Sequence, residues 1–88
     1  MPSLSFSTNQ VSVAATATLI VAENDGRHSV LITNLGTVAI YVGSNAGVLT
    51  TTGQLLPGVV GASISIPTKS AIYGISSGSA QSVSFLDV

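Results

Sequence analysis

Residues 27–74 read RHSVLITNLGTVAIYVGSNAGVLTTTGQLLPGVVGASISIPTKSAIYG, and the punctuation inside this run decides the fold. Five apolar pieces, RHSVLITN, VAIYVG, GQLLPG, SISIP and AIYGI, are separated by glycine, asparagine and proline. None carries a convincing helical period, so each piece reads as a short strand. Asp25-Gly26, just upstream, suits the two positive-φ positions of a type I′ hairpin turn joining Ala17–Ala22 to His28–Asn34. Asn34-Leu35-Gly36 carries two residues suited to left-handed backbone and predicts a second hairpin, with Val38–Gly43 returning antiparallel. Pro57-Gly58 fits the centre of a type II turn, with proline presetting φ and glycine taking the positive angle.

Working outward, Ser3–Ser7 alternates with Leu4 and Phe6 on one face, and Val11 and Val13 continue the pattern. That is the period of a half-buried strand, and residues 1–16 read as an N-terminal arm or edge strand. The continuous run ATLIVA suits a strand buried on both faces or a short helix, and the β-branched Thr18, Ile20 and Val21 favour the strand. Val48–Thr52, Ala62–Ile66, Ala71–Ile75 and Ser82–Val88 complete a set of about eight. The sequence therefore predicts a single all-β domain over 1–88, a small antiparallel sandwich or barrel of jelly-roll type. Two irregularities stand out. Val30-Leu31-Ile32 and Val38–Val42 are apolar on both faces, whereas the outer face of an antiparallel sheet is normally polar; this implies a partner-covered face. In the last strand Asp87 shares a face with Phe85, and a β-bulge near Phe85-Leu86 is expected to turn it outward.

Composition sets the limits. Eighty-eight residues make one domain whose core is thin, and without cysteine it has no disulfide to staple it. Assembly is the remaining source of stability. Only 6% of residues are charged and the net charge is -1. There is no basic footprint for nucleic acid and no polybasic patch or long apolar run for a membrane. A surface so poor in charge is unusual for a free monomer. No secretory signal is visible in MPSLSFSTNQ, so the expected place of synthesis is the cytoplasm.

Four of the six Asp, Glu, Lys, Arg and His side chains, Glu23, Asp25, Arg27 and His28, crowd into six residues. The spacing is wrong for a calcium loop, since nothing acidic follows Asp25 until Asp87. The group reads as a solvated hairpin tip in which Arg27 pairs with Glu23 or Asp25; bridging of Arg27 to a partner carboxylate is the alternative. Gly74-Ile75-Ser76-Ser77-Gly78 matches G-x-S-x-G, but that elbow needs a strand-to-helix turn and a histidine after the serine, and the sole histidine, His28, precedes it. No catalytic residue, metal site or cofactor is expected. Tyr41 and Tyr73, in the related settings IYVG and IYGI, read equally as interface anchors and as ordinary sheet residues.

The order of these segments resembles the small β-rich accessory proteins of tailed-phage virions. The family's Arg-apolar-Asn segment matches Arg27 to Asn34, its IYVG matches Ile40 to Gly43, its leucine-Pro-Gly turn matches Leu55 to Gly58, and its IYG matches Ile72 to Gly74. The likeness covers the last two thirds of the chain. It implies a virion protein made in the bacterial host cytoplasm: a capsid decoration or cement protein that binds the major capsid protein as a homo-oligomer, commonly a trimer. A tail, spike or fibre component contacting host glycans is the alternative. It is weakened by the absence of tryptophan and the presence of only four aromatic residues, Phe6, Tyr41, Tyr73 and Phe85.

Overall fold

Apolar alternation without a helical period produces strands only, and no helix occurs among residues 7–87, which the computed structural model describes. The strands are β1 (Ser7–Val13), β2 (Thr18–Val21), β3 (Val30–Asn34), β4 (Ile40–Gly43), β5 (Gln54–Leu56), β6 (Ser63–Ile66), β7 (Ile72–Ser76) and β8 (Gln81–Asp87). They form two four-stranded antiparallel sheets, one ordered β1-β8-β3-β6 and the other β2-β7-β4-β5. They are called here the β1 sheet and the β2 sheet.

The pairing explains the order. β1 pairs with β8, β2 with β7, β3 with β6 and β4 with β5, so partners lie symmetrically on either side of the Ser44–Gly53 loop. A single long ribbon, folded at that loop and rolled up, gives the jelly roll. Consecutive strands then alternate between sheets, and among the described residues β4 and β5 are the one sequential pair that hydrogen-bonds. The predicted β2–β3 and β3–β4 hairpins are therefore corrected. Each is a crossing from one sheet to the other, and β3 finds its partners in β6 and β8 instead.

The turn chemistry changes accordingly. A two-residue hairpin turn of the primed type needs positive φ, and none of Asp25, Gly26, Asn34, Gly36 or Gly58 adopts it; among the described residues Gly61 does, at 92°, in the crossing from β5 to β6. The Asp25-Gly26 turn is closed by the Arg27 N–H donating to the Asn24 carbonyl at 3.1 Å, with negative φ at both central residues. The type II turn lies three residues beyond its expected place, at Val59–Ala62, where the Ala62 N–H donates to the Val59 carbonyl at 2.9 Å. Gly58 serves a different need: an added Cβ would sit 2.7–2.9 Å from backbone atoms of Thr37, Val38 and Ala39. Val48–Thr52 is a turn-containing loop, and the strand of this region is β5. Leu4 and Phe6 lie outside the described residues.

Between the sheets pack Val13, Ile20, Val21, Val30, Ile32, Ile40, Val42, Leu56, Ile72 and Val83, with Ile64, Ile66 and Phe85 partly covered. Both Ile20 and Val21 reach this core because a register shift between Leu19 and Val21 turns them inward together. The sheets approach each other most closely at the β1/β2 side. On the β5/β6 side an apolar cleft of about 260 Å³ opens, lined by Val42, Ile64, Ile66, Ala71 and Ile72.

Candidate interaction surface

The polar residues singled out in the sequence are mostly committed to the fold. Arg27 precedes β3 and is 1% exposed. Its Nε donates to the Thr68 carbonyl at 2.9 Å, its Nη1 to the Ala22 carbonyl at 2.9 Å, and its Nη2 to the Ser70 carbonyl. Asp87 lies 3.8 Å from Nη1. One guanidinium thus ties the β2–β3 and β6–β7 connections to the end of β8. This corrects two expectations at once: Arg27 is neither a solvated hairpin tip nor open to a partner. The bulge expected in β8 is absent as well, because its register runs unbroken from Gln81 to Asp87. Asp87 stays on the inner face because Arg27 is there to neutralise it.

Asn34 does the same work at the other end of β3. Fully buried, it donates from Nδ2 to the carbonyls of Val38 and Pro57 at 2.9 and 3.0 Å, and its Oδ1 accepts from the Gly36 N–H at 2.8 Å. The β3–β4 and β5–β6 connections are joined through it. Gln81, which the sequence did not single out, supports that corner by accepting from the N–H groups of Thr37 and Val38. Its side chain fills the space a Cβ at Gly36 would need. No signal in the sequence marks Gln81, because its partners are more than forty positions away.

The remaining candidates divide. Ser76 is buried, with its hydroxyl donating to the Ser79 carbonyl at 2.6 Å and accepting from the Gly78 N–H, so it is held within its own turn. Glu23, Asp25 and His28 are exposed, and no group of three His, Cys, Asp or Glu that could hold a metal occurs among the described residues. Lys69 caps the loop beside them, donating to the carbonyls of Asp25 and Arg27.

Tyr41 and Tyr73 meet on the outer face of the β2 sheet. Tyr41 lies opposite Ile75 and Leu55, and Tyr73 opposite Gly43 and Leu19. Side chains alternate across a strand, so these residues share one side and the tyrosines are diagonal neighbours. Val48 folds down onto Gly43 and Gly53, closing the gap between them. Around the half-buried tyrosines Leu19 is 43% exposed, Leu55 45% and Leu49, next to Val48, 52%. The β1 sheet presents a different outer face: Thr8, Gln10, Ser12, Ser82, Ser84, Thr33, Ser63 and Ser65, interrupted by Leu31 and Leu86. None of the strand residues on these two faces is charged, but the exposed Glu23 lines the same surface hollow as Leu19 and Tyr73, at the rim of the tyrosine face.

No family model matches the chain, and no curated protein matches it. Among solved structures it is similar to a chain from the work describing Bacillus endospore appendages as a novel family of disulfide-linked pili. The two are 18% identical, the match covers 93% of this chain and 83% of the other, and the TM-score is 0.50. Likeness at that identity is likeness of fold. The neighbour comes from a bacterial appendage, so the phage resemblance is carried by the sequence segments alone.

Proposed function

We propose that this protein is a structural subunit that works by self-association, a homo-oligomer with a trimer as its favoured form, and not an enzyme. The observation that carries the reading is the outer face of the β2 sheet. Leu19, Tyr73, Tyr41 and Leu55 form an apolar surface, with Glu23 at its rim, on a domain without a disulfide. Burying such a surface contributes roughly 25 cal/mol per Å², which a thin core needs. Its setting in this reading is a virion: the oligomer decorates a phage head, contacting the major capsid protein by shape and apolar area, with no cofactor, nucleic acid or membrane involved. Cosedimentation with expanded capsids that lack the protein tests it. Binding with weak salt dependence and increased capsid resistance to heat is expected, because few charges are available to screen.

A second reading is favoured by the fold itself. The similar chain comes from disulfide-linked pili, and a jelly roll of this size suits a repeated filament subunit equally well. Without cysteine, a filament of this chain could not be linked by disulfides. Recovery of the protein in purified tails or fibres, with no binding to heads, replaces the first reading with this one.

A further inference from the structure

Among the described residues the sandwich has four strand edges without a partner strand, and they are not alike. Sheets usually blunt their edges with bulges, very short strands, charge or proline, since unpaired N–H and C=O groups invite another strand. Both edges of the β2 sheet are blunted: β2 has the register shift at Leu19/Val21, and β5 is three residues long. The edges of the β1 sheet are less protected. β1 pairs over seven residues and β6 over four without a shift, and STNQVSV and SISI contain neither charge nor proline. Pro67 follows β6 directly, however, and the Gln10 N–H of β1 donates to Asn9 Oδ1 at 2.8 Å, a bond that an added strand would have to replace.

We propose that the free edge of β1 in one copy adds to the free edge of β6 in the next, continuing the β1 sheet from copy to copy. The polarity is right. Every pair in the β1 sheet is antiparallel, so β1 and β6 run in opposite directions, and a second copy set alongside in the same orientation presents β1 antiparallel to β6. The facing residues also match. Side-chain parity places Asn9, Val11 and Val13 in one layer with Ile64 and Ile66, and Thr8, Gln10 and Ser12 in the other with Ser63 and Ser65. A strand at β6 also covers the apolar cleft that Ile64 and Ile66 line. Joining two β1 edges would leave both clefts open, which favours the unlike pair. A contact between unlike edges closes into a ring when its rotation allows, as a trimer requires, and otherwise runs on as a filament. The inference rests on the self-association reading but uses residues separate from the tyrosine face.

Engineered cysteines test it directly, because the chain has none of its own. Gln10→Cys and Ser65→Cys lie on the outer layer away from the core, and directly opposed residues in an antiparallel pair come within disulfide reach. Combining Ser65→Cys with Thr8→Cys, Gln10→Cys or Ser12→Cys in one chain samples three registers. Oxidation of at least one double variant is expected to give linked trimers or a ladder of multimers on a non-reducing gel, while each single variant stays monomeric there. Dimers from a single variant, or no cross-link in any register, overturn the proposal. Light scattering of the unmodified protein separates the two failures: an oligomer without cross-links sinks the edge contact alone, whereas a monomer sinks self-association too.

Discussion

Two regions of this molecule hold residues where their chemistry would not ordinarily put them. At the ends of β3, Arg27 and Asn34 are buried. On the outer face of the β2 sheet, Leu19, Leu49 and Leu55 stand in water around two half-buried tyrosines. The difference lies in how each misplacement is settled. Among the described residues no buried side-chain nitrogen or oxygen lacks a hydrogen-bond partner, so the inner polar groups are satisfied within the chain and explain the fold. The outer apolar groups have no such answer among the described residues. In the proposed self-association, a contact between copies would supply one.

The largest effect is expected from Arg27→Ala. It leaves the carbonyls of Ala22, Thr68 and Ser70 without their donor and Asp87 without its counter-charge. Removing one partner of a buried charged network costs about 3–5 kcal/mol, against a total of roughly 4–13 kcal/mol for a domain of this length. Denaturant unfolding is expected to show a variant that is marginally folded or unfolded. A loss below about 1 kcal/mol would mean that Arg27 is solvated after all. Asn34→Ala comes next. It abandons the Val38 and Pro57 carbonyls and the Gly36 N–H, at a cost of about 2 kcal/mol, or roughly 10 °C in Tm.

These two residues also show how far the sequence could be read. The strand count and jelly-roll class follow from alternation and turn residues, which are local. Which strands pair does not, because in a rolled ribbon the partners of β3 lie 30 to 36 residues away in β6 and 49 to 57 away in β8. The hairpin reading of Asp25-Gly26 and Asn34–Gly36 failed for that reason: the residues suit a reversal, but the chain there crosses between layers. The inward position of Asp87 was legible as an anomaly in the alternation of β8. Its resolution by Arg27 was not, since sixty residues separate them. The diagonal placement of Tyr41 and Tyr73 was hinted at by their matching contexts and required the β4–β7 register to become a surface.

The outer half of the contrast is tested by moving one charge between the two faces. Tyr41→Asp puts a carboxylate in the middle of the apolar face, and Ser82→Asp puts the same group on the hydroxyl-rich face of the β1 sheet. Desolvating an unpaired carboxylate at an interface is costly, so the first variant is expected to dissociate and the second to keep its mass. Light scattering at micromolar concentration should report a multiple of 8.8 kDa for the unmodified protein and for Ser82→Asp, and a falling mass for Tyr41→Asp. Equal masses for both variants would erase the distinction between the faces.

The smallest effect is expected where the charges cluster in sequence. Glu23, Asp25 and His28 are exposed, Arg27 has turned away from them into the interior, and Lys69 donates to the Asp25 carbonyl. A cation binding there would find scattered oxygens with a guanidinium and an ammonium close by, and calcium requires six or more oxygen ligands held together. Calcium or zinc added to the purified protein should therefore leave Tm where it was, and Glu23→Ala should leave both Tm and oligomer mass unchanged. A ligand that binds only the folded state raises Tm in proportion to its saturation, so a saturable rise with either metal would show the loop to be a site. It would also move the unsettled chemistry of this molecule from its apolar outer face to its few charges, and the contrast between the two regions would have to be redrawn around Glu23.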